Sequence, residues 1–455
     1  MGRKKIGQKN RVSVFAVVFI ILFALGVFAS LILAIVTRGH SLEMTMFHPN
    51  DSYNKDFFMD FFNSIRDAST MDVYENGIIY PPLANLMFLF FSKFISPEIT
   101  STSFYFRYNT QTDQRMIIIY LVFVMICFVF FSLITKYYLK KNLFNGGMAE
   151  VFSFIFVMFY PMYYCLERGN IILLAMICTA FFVFFHDSKD KLISDLALIA
   201  LAVAAGLKIY PALFGLLLLA EKRYRSALKA VIYGVVIFFV PFIFYNHGAS
   251  LILFIKNVLT FSSSNKAHYQ IDSVSIINIF YYLSDKYVAV GKVAFILAEL
   301  AALVSMFIVP KKWQKYALLS IMLLNIQSVS SSYSMVFMLI PFLAFISDRS
   351  KKQPIDILYL ILFSLLFVPI PCFYINNPEL VESFFALINM QVSYNINQLL
   401  ALPTIQLLFF CMCVEAISHS IRLKKQGGKL SECFFGKSTE EKATAIAKKK
   451  GRKTA

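Results

Sequence analysis

The sequence predicts an all-α, polytopic membrane protein, and three observations carry that class. Of its 455 residues 58% are hydrophobic and only 15% charged, where soluble domains run near half apolar and about a quarter charged. Several separate apolar runs, among them Val14 to Val36 and Ile117 to Thr135, approach or exceed the roughly 18 residues that cross a hydrocarbon core about 30 Å thick. These runs are continuous rather than alternating, which excludes an outer-membrane barrel.

Charge supplies the orientation. The net charge of +17 sits mainly at the ends: residues 1–11 hold five Lys/Arg and no acid, and residues 422–455 hold eleven against three acids. Basic ends flanking apolar spans follow the positive-inside rule and suit an anionic cytoplasmic leaflet of the plasma membrane. Nucleic acid as a partner would want a basic face interleaved with aromatics, which neither end offers, so membrane lipids are the expected neighbours. The seven cysteines avoid the polar segment 37–82, so no disulfide framework is expected. The first apolar run is 23 residues long without a small-residue cleavage site and reads as a retained span.

With the amino terminus cytoplasmic, spans fall near 14–36, 116–135, 148–166, 171–186, 192–207, 209–221, 226–246, 287–309, 315–329, 334–347, 355–374 and 399–421. About twelve crossings return the carboxyl terminus to the cytoplasm, giving a multi-pass protein with both ends inside. The organisation is then a basic amino terminus (1–13), a transmembrane domain (14–421) with a long outer loop (37–115), and a basic tail (422–455), expected to be disordered. Spans 209–221 and 334–347 are short for a lone helix, so they tilt or are shielded by neighbours. The 13-residue run Leu83 to Ile95, opened by Tyr80-Pro81-Pro82, would move Lys136, Lys140 and Lys141 outside if it crossed. It reads as a re-entrant or interfacial helix, and paired prolines at membrane depth imply a protein-lined or wet cavity.

The outer segment 37–82 holds seven acids against three bases. Within it Asp56, Asp60, Asn63 and Asp67 share one helical stripe and Phe58, Phe61, Phe62 and Ile65 the other. Such a helix lies at the interface with its phenylalanines in lipid or protein. Like charges at i,i+4 cost a helix roughly 0.2–0.5 kcal/mol, and crowding raises one carboxyl's proton affinity, which suits a general base. A solvated acidic face with Asp56 as N-cap is the competing reading. Arg168 in Glu167-Arg168-Gly169-Asn170 and Lys208 in Lys208-Ile209-Tyr210-Pro211 place cations at the outer surface, against the positive-inside trend. There they neutralise a phosphate or simply snorkel. Glu299, in mid-span, must pair or face a polar interior; Asn325 and Gln327 line the same cavity or bond between helices. The six histidines lack metal-ligand spacing, and neither a phosphate-binding loop nor a dinucleotide fingerprint occurs, so neither metal nor cofactor is expected.

In order along the chain, Asp56 to Phe62, Tyr80-Pro81-Pro82, Gly169-Asn170 and Lys208-Ile209-Tyr210-Pro211 resemble the motifs of glycosyltransferase family 87. These are membrane-embedded GT-C enzymes similar to polyprenol-phosphate-mannose-dependent α-1,2-mannosyltransferases. The resemblance implies a GT-C-type bundle with an outward-facing active site. It implies inverting transfer of a mannose-like hexose from a polyprenyl-phosphate sugar donor to a lipid- or cell-wall-linked glycan acceptor, without nucleotide sugar or metal. Asp56 would then be the base, with Asp60 second and Asp51 third. Lys208 and Arg168, with Tyr210, would bind the donor phosphate, and Tyr80 and Asn170 would contact sugar or acceptor. Ser275 and Asn278 lie in a stretch similar to the family's Ser/Asn-rich outer loop. Tyr333 stands where the family often carries a histidine. A flippase for a lipid-linked glycan, or a surface-polysaccharide polymerase or ligase, are the alternatives; 14 of the 26 acids concentrated on the outer side argue against the flippase.

Overall fold

In lipid every backbone N–H and C=O must be paired within its own segment, so continuous apolar stretches fold as helices. The computed structural model describes residues 13–39, 58–69, 72–96, 113–142, 146–245, 249–263, 273–326, 332–350, 352–371, 396–427 and Phe434. Among these the elements are helical, with no strand. In chain order they are α1 (Val14–Val36), α2 (Met59–Ala68), α3 (Pro82–Ser92), α4 (Gln114–Lys141), α5 (Gly146–Ile155), α6 (Tyr160–Arg168), α7 (Ile172–Phe185) and α8 (Lys191–Leu207). A 3-10 turn (Tyr210–Gly215) then leads into α9 (Leu216–Ala220), followed by α10 (Tyr224–Phe239), α11 (Ala249–Ser263), α12 (Ile277–Leu283), α13 (Val288–Ile308) and α14 (Lys312–Ile326). A second 3-10 turn (Ser332–Met338) precedes α15 (Leu339–Ile346), α16 (Ile355–Phe367) and α17 (Ile396–Lys425).

Five helices are long and apolar enough to cross a membrane alone: α1, α4, α10 with its extension to Phe244, α13 and α17. A sixth results if α5 and α6, bent by 50° at Phe159, act as one; Pro161 in the first turn of α6 fits that break. Shorter apolar helices accompany them, and among the described residues every stretch expected to span contains helix. Of the two short stretches, 334–347 is shielded as expected, since every residue of α15 is buried, whereas 209–221 leaves Ile209 and Leu219 exposed. Two elements were not anticipated: α11 and α12 lie in what reads as an outer loop.

Packing is dominated by phenylalanine. Phe19 and Phe23 of α1 meet Phe152, Phe159 and Phe342 at centroid distances of 4.5–6.1 Å. Here α1 approaches the end of α16 closely. A β-carbon on Gly26 would lie 2.4 Å from Val368 Cγ1 and 2.8 Å from the carbonyl oxygen of Pro369. Gly26→Val is therefore expected to cost about 1–3 kcal/mol of stability through overpacking, read as an earlier unfolding transition in detergent. An unchanged transition would mean that α1 does not seat there.

On the face expected to be cytoplasmic, charge ties helix ends together. Glu221 Oε2 lies 2.8 Å from His186 Nε2, and Lys312 Nζ lies 2.8 Å from Asp187 and 3.7 Å from Glu221. Lys311 Nζ reaches the fully buried Asp356 at 2.8 Å. The expected basic tail lies outside the described residues beyond Gly427, apart from Phe434.

Candidate active site

The site begins with a turn that only glycine accommodates well. Gly169 ends α6 in the left-handed region, with φ +66°, a common helix stop. Its missing side chain leaves room for the start of α2: a β-carbon there would sit 2.9–3.1 Å from the Cα, O and C atoms of Phe58. The Phe58 N–H donates to the Glu167 carbonyl at 2.6 Å, and Phe58 itself is left-handed at φ +60°. A bulky residue in that region is strained and persists only where its surroundings hold it. Here the holding contact is the Tyr120 ring, 4.4 Å away between centroids.

Amphipathicity then decides which way α2 faces. Phe61, Phe62 and Ile65 are buried, with Phe61 packed among Phe88, Phe91, Tyr120 and Phe123 at 5.1–6.0 Å. Within Met59–Ala68 the expected stripe is thus present, and its phenylalanines lie in protein rather than lipid. On the opposite face the acids divide. Asp67 is bridged by Arg66, which also donates to Asn63 Oδ1 at 3.4 Å, so that end of the stripe is neutralised locally. Asp60 instead points across the fold.

Asp60 Oδ1 accepts from Arg168 Nη2 at 2.9 Å, and Oδ2 accepts from Asn170 Nδ2 at 2.7 Å. The orientation of Asn170 is determined, because its Oδ1 accepts the Ile172 N–H at 2.9 Å and its amide NH2 must then face Asp60. That same NH2 lies 3.5 Å from the Tyr80 hydroxyl. Tyr80 is held in turn: Asn85 Nδ2 and the Tyr74 hydroxyl donate to its carbonyl at 3.1 and 3.2 Å. Behind that turn Asn257 of α11 donates to the carbonyls of Tyr74 and Ile78 at 2.7 and 3.2 Å. Asn257 is a supporting residue that sequence reasoning missed, since a lone amide in an outer loop carries no pattern.

Lys208 completes the group. Its ammonium lies 4.2 Å from the centroid of the Tyr80 ring, a cation–π distance. Gly206 makes the approach possible, since a β-carbon there would lie 2.9 Å from Leu83 Cδ2 of α3. Among the described residues Lys208 has no carboxylate within 4 Å, whereas Arg168 does. Burial pushes the Lys208 ammonium down to about 8, against the opposing pull of Asp60. Burial also raises the Tyr80 phenol, and the Asp60 charge adds to that, so Tyr80 remains a hydrogen-bond donor at neutral pH.

Of the residues singled out in the sequence, Asp60, Arg168, Asn170, Tyr80 and Lys208 thus converge from α2, α6, the α6–α7 and α8–α9 connections and the turn before α3. Tyr210 packs edge-on to Phe337 at 6.2 Å and lies within electrostatic reach of Asp60. Tyr333 packs against Tyr164 at 6.0 Å, on α6 beside Arg168. Ser275 and Asn278 are not brought to this group by any hydrogen bond; Ser275 Oγ donates instead to the Asn325 carbonyl at 3.1 Å. Asp51, Asp56 and Gln327 lie outside the described residues. No three His, Cys, Asp or Glu side chains gather as metal ligands among the described residues.

A many-helix bundle that gathers one carboxylate, two cations, an asparagine and a tyrosine defines a polytopic membrane protein with a buried polar group among its helices. The family model of glycosyltransferase family 87 matches residues 79–345, more than half of the chain, and the protein belongs to that family. It is accordingly a membrane glycosyltransferase. The match covers Tyr80, Arg168, Asn170, Lys208, Tyr210 and Tyr333, and begins after α2. No curated protein and no solved structure matches the chain.

Proposed function

We propose that the protein transfers a mannose-like hexose from a polyprenyl-phosphate sugar to a lipid- or cell-wall-linked glycan, with inversion, at the outer face of the plasma membrane. The observation that carries this reading is Lys208. A partly buried ammonium against an aromatic ring, with Asp60 in electrostatic reach but no carboxylate within 4 Å among the described residues, is costly unless an anion completes it. A lipid monophosphate entering between apolar helices supplies that anion.

Each residue then has a task. Lys208 and Arg168 neutralise the phosphate as the glycosidic C–O bond breaks and charge develops on the leaving oxygen. Tyr210 closes the pocket behind it. Tyr80, Asn170 and Tyr333 line the sugar side, with Asp51 a further candidate contact. Asp56 acts as the base, taking the proton of the acceptor hydroxyl while its oxygen attacks the anomeric carbon opposite the phosphate. The products are the glycosylated acceptor and polyprenyl phosphate, with the proton on the Asp56 carboxylate until solvent takes it. Asp60 has a different role, because Arg168 and Asn170 occupy both of its oxygens. A proton on that carboxylate would remove the charge that Arg168 pairs with, so Asp60 positions Arg168 and Asn170.

The test is transfer by purified protein in lipid, offered radiolabelled polyprenyl-phosphate hexoses with a membrane extract as acceptor source. Inactivity with every donor, together with movement of a labelled lipid-linked glycan between leaflets, would favour the flippase instead. A pH profile adds a sharper check. Only protonated Lys208 attracts phosphate, and its lowered proton affinity puts loss of charge near pH 8. Hence kcat/KM for the donor, which reports free enzyme, is expected to fall as pH rises through about 8, and Lys208→Met is expected to flatten that limb at a lower plateau. If the limb survives in Lys208→Met, it belongs to another group.

A further inference from the structure

Lys136 and Lys140, which help to orient the chain, also border a groove that glycosyl transfer leaves unused. The groove has a volume of about 490 Å³ and lies between the last turns of α4, the end of α7 and the start of α8. Small-ligand sites occupy roughly 300–1,000 Å³, so it is large enough to hold one. Its walls are apolar: Leu133 and Tyr137 of α4, Phe181 and Phe185 of α7, and Ile193 of α8, with the two lysines completing the lining. The aromatic wall is continuous, since the Phe185 ring lies 5.4 Å from Tyr137 and 5.0 Å from Phe181.

Its place in the bundle sets the groove apart from the Asp60 group. Beside that group α4 packs its Tyr120 on Phe58, and it reaches the groove with its last turns. At roughly 1.5 Å per residue, about 30 Å of helix lies between Tyr120 and Lys140, the thickness of a hydrocarbon core. The groove therefore opens at the opposite membrane face, where α4 and α7 both end.

Charge at that end is lopsided. Lys136 and Lys140 share one oxygen of the half-exposed Glu150, Oε1, at 3.1 and 3.6 Å, and the second distance is too long for a hydrogen bond. An ammonium carries three N–H donors, more than one shared oxygen can take up. Of the acids around Tyr138 at this end, Asp187 is paired with Lys312 and Asp348 is bound by Ser350. Just past α4, Arg349 adds a further cation by donating to the Asn142 carbonyl at 3.2 Å. An apolar groove that ends at cations fits a ligand of the same construction, with an acyl chain and an anionic head. Basic pockets between helices at a membrane surface bind anionic lipid headgroups in this way. A zwitterionic lipid would fill the apolar part equally, but its own cation would meet the lysines.

We propose that the groove holds one anionic glycerophospholipid, whose headgroup phosphate bridges Lys136 and Lys140 and draws them off Glu150. Its acyl chain packs along Leu133 and Phe181 and so ties α4 to α7 and α8.

Native mass spectrometry of the purified full chain tests this, with dioleoyl phosphatidylglycerol and dioleoyl phosphatidylcholine offered in equal amounts. Wild type is expected to keep phosphatidylglycerol in preference. Lys136→Gln and Lys140→Gln are each expected to weaken that retention about fivefold, the contribution of one lysine near a charged headgroup. Glu150→Gln is expected to strengthen it, because the competing carboxylate is gone; a purely structural ion pair would make all three variants behave alike. Lys424→Gln, the same charge loss in the last turn of α17, should leave retention unchanged. Equal retention of the two lipids by wild type, unchanged retention in both groove-lysine variants, a matching loss in Lys424→Gln, or weaker retention in Glu150→Gln would each overturn the site. In detergent, phosphatidylglycerol should raise the thermal transition and soluble glycerol phosphate should not. A rise with glycerol phosphate alone would make this a site for free anions and remove the lipid. Should a lysine variant fail to fold, the sign of the change in Glu150→Gln decides by itself.

Discussion

Asp56→Asn is expected to abolish transfer, by about 10²–10⁴-fold in kcat as for the loss of a general base, while donor KM stays near wild type. Asp60→Asn is expected to act differently, and the geometry says why. An asparagine at 60 offers one oxygen where Arg168 and Asn170 each demand an acceptor. Its NH2 must then face either the guanidinium or the Asn170 amide. One contact breaks, Arg168 loses the charge that holds it, and donor KM should rise together with a smaller fall in kcat. Steady-state kinetics on the two variants in the same lipid separate base from anchor. The reverse outcome, with kcat lost in Asp60→Asn alone, would transfer the base to Asp60 and leave Asp56 the solvated acid of its helix face.

Gly169→Ala is expected to be nearly as damaging, although residue 169 touches no proposed substrate. The added β-carbon would meet the Phe58 backbone at 2.9–3.1 Å, and the backbone at φ +66° is left-handed. Non-glycine residues there cost roughly 1–2 kcal/mol. Backbone cannot rotate aside as a side chain can, so Phe58 must back away from α6 and carry Asp60 with it. A displacement of about 1 Å at a catalytic centre can cost about 100-fold in rate. The check is kcat beside the thermal transition: rate should collapse while the protein still unfolds cooperatively a few degrees earlier. Full activity in Gly169→Ala would mean that the α2–α6 contact does not position the site.

The pattern of what was legible follows from the range of each interaction. Helix positions were readable because lipid leaves the backbone only local solutions, so apolar length and charge asymmetry report spans directly. The stripe on α2 was readable for the same reason, as a period of 3.6 within one segment. The sequence alone could also order the motifs Tyr80-Pro81-Pro82, Gly169-Asn170 and Lys208-Ile209-Tyr210-Pro211 and recognise the family that they belong to. Which acid met which cation was beyond it. Asp60 joins Arg168 and Asn170 across 108 and 110 residues of chain, and Asp67 is neutralised by its own neighbour, distinctions that no local period encodes.

Small residues decided the rest. Gly169, Gly206 and Gly26 mark the points where one backbone or side chain comes within 3 Å of another element's missing β-carbon, and a glycine in isolation says nothing of its partner. The helix α11 went unread because its amphipathic pattern was weak, yet its Asn257 braces the turn that carries Tyr80. Glu299 and Asn325, singled out in the sequence separately, lie side by side in the fold. Composition and periodicity, being local, determined a membrane-embedded helical protein, and the order of its short motifs pointed to its family. Long-range steric fit, which only the folded chain expresses, decided which of its many polar residues share a site.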